Sequence, residues 1–360
     1  MAKLRTIFIA VVFIKLILAA SLPNPDEIIQ YAKEPETHLT SVSKWDIESG
    51  MVTMPKSSGQ LLVYSLPLGE GDATMVQCPS GEVIVFNMGQ STKVVEGWNV
   101  GMVQAYMRNT VDQVKTIVIT HPGEAHFNFI SEVFTGNSST GLERIILAGK
   151  ESDYTDTTFI NWLNRRSDIV EYVNKQKPCI TDCYSKPPLC NNGLDGVTFK
   201  YLGANLGNNK KGRSITISIE ANNFKMLLPG DFKGVDIECL LVNEWSVAGW
   251  NMTHTHMKLS RHGDFNDSNS QKFLNAIQPS VAFVTNAYPV YPSYHPSCGV
   301  ITRLLLSGNV QKASDSITFA CGEPSTQSTK QYNSWPYKIY TTAPKQGTYN
   351  IISFNASPKY

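Results

Sequence analysis

Five residues of this sequence stand where metal-ligand or acid–base chemistry would need them. His121 and His126 fall in Thr-His-Pro-Gly-Glu-Ala-His, directly after the apolar run Thr116 to Thr120. Asp231 closes Leu-Leu-Pro-Gly-Asp, His262 lies in Ser-Arg-His-Gly-Asp after a run ending at Leu259, and His295 lies in Tyr-His-Pro-Ser, downstream of Val281 to Thr285. A single histidine is more often a satisfied core or surface residue than a ligand. Strand ends change that balance, because ligands of α/β sheets bind in the crevice beyond the carboxyl ends of the strands. His121, His126, Asp231 and His262 are chemically adequate for one zinc or similar ion, since catalytic zinc commonly takes three protein ligands and a water. Such an ion lowers the pKa of its water to about 7 and polarises a phosphoryl or carbonyl oxygen. Asp231 is then both ligand and catalytic carboxylate, and His295 the group that protonates a leaving group or holds a substrate oxygen.

Other residues invite chemistry less strongly. His254 and His256, in Thr-His-Thr-His, share one face of a strand and read as lining a surface. Lys210, Lys211 and Arg213 read as a solvated hairpin tip. Gly69 and Gly71 form a turn and no dinucleotide fingerprint, because no helix with a third glycine follows. Cys298 is close to His295, but a disulfide or burial is the reading preferred over a nucleophile.

The elements that must position these groups alternate along the chain. Leu61 to Leu66, Ala73 to Cys78 and Glu82 to Phe86 read as a strand meander separated by Gly and Pro-Ser-Gly turns. An amphipathic stretch from Thr92 to Arg108 precedes the buried strand Thr116 to Thr120, and a second helical pattern covers Thr157 to Asn174. After a Cys- and Pro-rich insertion at 175–196, a second half repeats the order: strands Val197 to Leu202, Ser214 to Glu220 and Phe224 to Leu228, a helix around Val235 to Val242, a strand Thr255 to Leu259, a helix Ser268 to Ile277 and a strand Val281 to Thr285. The main domain is expected over 56–323, preceded by a polar leader segment at 22–55 and followed by a tail or one late edge strand at 324–360.

With 42% hydrophobic and 17% charged side chains and a formal net charge of +1, the chain can bury a large core and is neither a nucleic-acid-coating protein nor an acidic tail. Lys3 and Arg5 precede the apolar run Ile7 to Ala20, which ends in Ala19, Ala20 and Ser21. That is the pattern of a signal peptide at 1–21, too short and too interrupted by Lys15 for a membrane anchor. The expected mature chain starts near Leu22, is extracellular and has no membrane span. Export favours bridges among Cys78, Cys179, Cys183, Cys190, Cys239, Cys298 and Cys321, and the odd count leaves one over. Acceptor sequons at Asn137, Asn251, Asn266 and Asn355 fit a glycosylated surface.

Taken in order, the motifs resemble the metallo-β-lactamase superfamily, and within it the hydrolase-like domain of ComEC-type DNA-uptake proteins. Leu68-Gly69-Glu70-Gly71-Asp72-Ala73 corresponds to that family's opening Gly-Gln-Gly-Asp-Ala, and Gln77 to Gly81 and Phe86-Asn87-Met88-Gly89 to the segments that follow it. Thr120 to His126 match its Ser-His-Pro-Asp-Ala-Asp-His loop, Arg213-Ser214 its Asn-Ser, and Leu228 to Asp231 its Leu-Thr-Gly-Asp. Arg261-His262-Gly263 match its His-His-Gly, and His295-Pro296 its late His-Pro. The resemblance implies a four-layer αββα sandwich, a metal-dependent hydrolase and, as ancestral substrate, DNA. The departures weaken the chemistry: Gly123 and Ala125 stand at ligand positions, Asn87 replaces a strand-end Asp, and Arg261 replaces a paired His. A guanidinium beside a divalent cation opposes its binding. The expectation is therefore one zinc or manganese ion or none, in a protein that binds an extracellular ligand or partner. The alternative is an active single-metal hydrolase of phosphodiesters or other esters. Nucleic acid enters as a partner by resemblance alone, and a glycan at Asn266, close to His262, would crowd a long polyanion.

Overall fold

The computed structural model describes residues 35–42, 59–92, 97–108, 114–135, 141–173, 177–178, 189–192, 195–207, 212–231, 233–289, 293–346 and 348–357. The expected signal peptide, Cys179, Cys183, Lys210, Lys211 and Asn137 lie outside these residues. Along the chain the strands are β1 (Glu36–Val42), β2 (Leu61–Ser65), β3 (Gly71–Gln77), β4 (Val83–Gln90), β5 (Val114–Ile119), β6 (Arg144–Ala148), β7 (Val170–Val173), β8 (Lys177–Pro178), β9 (Thr198–Ala204), β10 (Ile215–Ala221), β11 (Phe224–Leu228), β12 (His256–Lys258), β13 (Val281–Val284), β14 (Lys312–Glu323), β15 (Ser328–Tyr337), β16 (Ile339–Thr341) and β17 (Tyr349–Ala356). The longer helices are α1 (Val100–Met107), α2 (Thr157–Asn164), α3 (Val235–Val247), α4 (Gln271–Ile277) and α5 (Cys298–Leu306).

Two sheets carry the fold. One runs β1-β17-β2-β3-β4-β5-β6-β7, the other β16-β13-β12-β11-β10-β9-β8, and β14 with β15 forms a separate hairpin. Alternation along each strand sorts side chains to two faces. In β5, Ile117 and Ile119 join a cluster with Val103 and Tyr106 of α1 and Phe159 and Leu163 of α2, whereas Val118 points to the layer between the sheets. In β11, Phe224, Met226 and Leu228 face the same inner layer, while Leu227 meets Leu241 and Trp245 of α3, Phe273 of α4 and Leu304 of α5. Three apolar layers separate helix, sheet, sheet and helix, which is the expected four-layer α/β/β/α sandwich.

Three elements differ from the sequence reading. The helical pattern expected over Thr157 to Asn174 stops at Asn164, and Val170–Val173 pairs parallel with β6, where β-branched residues suit a pleated surface. At the amino end, Glu36–Val42 of the expected leader pairs antiparallel with β17. At the other end, β17 is an interior strand between β1 and β2, not a tail, because Ile352, Phe354 and Ala356 alternate into the layer between the sheets.

Disulfides Cys78–Cys190 and Cys298–Cys321 staple the chain; the first ties the insertion to β3, the second ties α5 to β14. The second bridge settles Cys298 as structural, and among the described residues Cys239 is free. Asn251 and Asn266 are exposed, while Asn355 accepts a hydrogen bond from the Glu36 amide within the sheet. Among the described residues, no helix is long and apolar enough to cross a membrane.

Candidate functional site

The candidate residues come from the carboxyl ends of β5, β11, β12 and β13 or from the loops after them; β4 to β6 run parallel, as do β11 to β13, while β11 pairs antiparallel with β10 on its other edge. β5 leads through Thr120 to His121, and a single 3-10 turn, Glu124–His126, brings His126 back to the sheet. That turn packs against β4 so closely that a Cβ on Gly89 would lie 2.8 Å from the Ala125 backbone. β11 ends in Pro229-Gly230, and Gly230 takes a φ of 76° where a Cβ would meet Ser214 and the Ile215 carbonyl oxygen. Only glycine turns there without strain. The next amide, of Asp231, donates to Ser214 Oγ at 2.7 Å.

Hydrogen bonds then aim the rings. Nδ1 of His121 donates to the Arg213 carbonyl oxygen at 2.7 Å, and Nδ1 of His262 to the Thr285 carbonyl oxygen at 2.7 Å. Both bonds fix the tautomer that leaves Nε2 as the lone-pair nitrogen, the state a metal or a proton requires. His126 Nε2 lies 3.3 Å from Asp231 Oδ2, and its ring meets that of His121 edge-on, with centroids 5.2 Å apart. The other Asp231 oxygen accepts from the Arg261 amide at 2.7 Å. Arg261 and His262 hold φ angles of 48° and 54°, a left-handed conformation unfavourable for such side chains. The Arg261 amide on Asp231 and the His262 ring on Thr285 pin that strained turn.

Burial and the neighbouring His126 push the His121 imidazole down to about 4. Burial likewise lowers His262, against the opposing pull of Asp231 and Glu70. Burial alone would favour a neutral Asp231, but the His126 hydrogen bond and the fields of His126, His262 and His121 hold its carboxyl well below the usual carboxylate range. At neutral pH the site therefore has neutral rings at His121 and His262 beside an ionised carboxylate at Asp231.

The structure adds Glu70, Asp72 and Lys258, to which the sequence reading gave no role, and gives Asn87 its partners. Glu70 Oε1 lies 3.2 Å from His295 Nδ1; although burial opposes it, this contact and His262 keep the Glu70 carboxyl ionised below its ordinary range. Asp72, buried on β3, accepts from Asn87 Nδ2 at 2.7 Å, lies 3.9 Å from His126 Nδ1 and is ion-paired with Lys258 of β12. Lysine is almost never buried unless paired, and Lys258 meets that condition only through Asp72 on the other sheet. Asn87 itself is a bracket: it donates to Thr120 Oγ1 at 2.8 Å and accepts from the Thr120 amide at 2.8 Å.

The remaining candidates stay outside the site. His254 is buried between Ser218 Oγ, 3.0 Å from Nε2, and the Met252 carbonyl oxygen, while His256 packs on Phe224 and Phe354. The Arg213 guanidinium is ion-paired with Asp153.

The donor types suit one cation, and His126 Nε2 and Asp231 Oδ2 stand near the roughly 3.3 Å that separates two ligands of a tetrahedral zinc with bonds of about 2.0–2.1 Å, but no three of the ligand atoms of His121, His126, Asp231 and His262 lie within 4.8 Å of one another. A bound cation would supply an activated water or a polarised substrate oxygen. A second ion does not fit, because Gly123 and Ala125 offer no donor side chain and Asp72 is committed to Lys258 and Asn87. Among the described residues, the group of three or more such donors within 4.8 Å of one another is Cys78, Cys190 and Asp195, where the two sulfurs are bonded to each other and offer no thiolate.

No protein-family model and no curated protein matches the chain. Among solved structures, it is similar to the metallo hydrolase Igni18 of Ignicoccus hospitalis KIN4/I, at 13% identity and a TM-score of 0.43, over 75% of this chain and 98% of that one. It is also similar to the metallo-beta-lactamase fold protein YhfI of Bacillus subtilis, at 7% identity and a TM-score of 0.42, over 69% and 95% of the two chains. Human tRNase Z, short form, is similar at 14% identity and a TM-score of 0.40, over 63% and 92%.

Proposed function

We propose that this chain is a secreted, catalytically reduced member of the metallo-β-lactamase superfamily, related to the ComEC-type hydrolase domain. Its strand-end site holds at most one zinc or manganese ion, and holds it weakly, and the protein binds an extracellular ligand or protein partner. The observation that carries this reading is the state of Asp72 and Asp231. Asp72 is engaged by Lys258 and Asn87, and Asp231 by the Arg261 amide and His126, so protein groups already occupy the carboxylate oxygens that two metal ions would need. The charged start and short apolar run support secretion, as do the two bridges, since disulfides persist outside the reducing cytosol. The exposed sequon Asn266, four residues from His262, argues against a long nucleic acid at this site.

A second reading, an active single-metal hydrolase of phosphodiesters or other esters, draws on one contact. Glu70 Oε1 stands 3.2 Å from His295 Nδ1 without a formed hydrogen bond, and an imidazole beside a carboxylate can pass a proton to a leaving group. A chromogenic phosphodiester assay on full-length protein, with and without added zinc or manganese, separates the two. The first reading expects no turnover above the blank; the second expects metal-dependent turnover that His295→Ala removes.

A further inference from the structure

The layer between the sheets is apolar along most of its length, and on β12 it receives His256 and Lys258, the two residues that share the face opposite Met257. His256 fits this setting as an aromatic ring among Phe224 and Phe354. Lys258 does not, yet it is only 9% exposed. Its ammonium crosses to Asp72, which is 6% exposed on β3 of the opposite sheet. The second Asp72 oxygen is bonded to Asn87, and Asn87 is locked in turn by two bonds to Thr120. Behind this pair, His126 Nδ1 is buried with no hydrogen-bond partner among the described residues, 3.9 Å from Asp72.

We propose that Lys258 is a built-in cation: its ammonium fills the Asp72 side of the site, closes that side to divalent metal ions and ties the two sheets together without one. This deepens the reading of a reduced metal site and rests on it. A unit positive charge in contact with the Asp72 carboxylate opposes a dication by direct repulsion. Both Asp72 oxygens would also have to release their partners before they could ligate. Removing the ammonium reverses the situation, since Lys258→Met leaves Asp72 buried and uncompensated beside the unpartnered His126 nitrogen. A cation is the species that this arrangement then attracts.

The test compares full-length wild-type protein, Lys258→Met, Asp72→Asn and the double variant, reading zinc per chain by elemental analysis and melting temperature in EDTA. Lys258→Met should melt roughly 10 °C lower in EDTA, as expected for breaking a buried ion pair in a domain of this size. It should also bind one more zinc per chain than wild type and recover stability with it. Asp72→Asn should lose stability without gaining zinc, and the double variant should regain most of the stability and gain no zinc. If Lys258→Met does not fold, recovery of folded protein in the double variant supports the proposal, and its absence overturns it. The proposal is also overturned if Lys258→Met melts as wild type does, if it gains no zinc, or if the double variant gains zinc equally. Because these readouts are metal count and stability, turnover by wild type would refute the reduced-enzyme reading and leave this comparison intact.

Discussion

Two sets of histidines in one molecule have opposite fates. His254 and His256 lie in the body of the second sheet or at the entry of β12, and packing or short hydrogen bonds consume them. His121 and His262 lie just past strand ends, where one nitrogen is pinned to a backbone carbonyl and the other is left over. His126, on the turn after β5, meets Asp231. Residue type is the same in all five, so placement relative to the strand end decides between structure and chemistry. Interior rings should therefore matter for stability, and strand-end rings for metal and ligand.

The largest expected effect is on the interior set. His256→Ala removes a ring packed between two phenylalanines and should cost about 3 kcal/mol in urea unfolding, as other buried aromatic truncations do. Zinc content should be unchanged; an altered metal count would erase the division between the two sets.

Acid comes next. Burial pushes both His254 and His256 down to about 3, so they are neutral in the folded protein, whereas the unfolded chain takes up protons below its ordinary value of 6.5. Their contribution is complete above pH 6.5 and is lost as pH falls from there towards 3. At 1.36 kcal/mol per pKa unit, each ring withdraws about 2 kcal/mol by pH 5. Urea midpoints at pH 7 and pH 5 check this, and His254→Gln should flatten the difference; superimposable curves would contradict it.

At the strand ends the stability effects shrink. His126→Ala breaks one hydrogen bond to Asp231 and should cost about 1 kcal/mol, seen as a small shift in the urea midpoint. It should abolish any zinc binding while leaving background hydrolysis unchanged. Smaller still in stability, below about 1 kcal/mol for a partly exposed change, is Ala125→Asp. Its signal is metal stoichiometry, which should rise; Gly123 is left unchanged, because a Cβ there would lie 2.9 Å from the His121 ring.

Much of this was legible in the sequence, for a local reason. An apolar run followed by His or Gly-Asp marks a strand and its end together, so His121, Asp231 and His262 could be placed without a fold. Period-two and helical patterns likewise gave β11 to the residue and the end of α4 at Ile277, with its start three residues early. What escaped depends on distant parts of the chain. Asp72 and Lys258 meet across two sheets, and neither local context announces the pair. β17 reads as tail because a strand of Ile-Ile-Ser-Phe-Asn-Ala becomes interior only when β1 and β2 close on its two edges. Val170–Val173 continues a helical pattern until β6 offers a pairing edge.

In the proposed reading, protein groups occupy the strand-end carboxylates in place of a pair of metal ions. Elemental analysis of full-length protein, purified without chelator or affinity metal and then dialysed, tests it most directly. No more than one zinc or manganese per chain is expected, and that ion should be lost on dialysis. Two retained ions per chain, with DNA hydrolysis that His126→Ala abolishes, would contradict it.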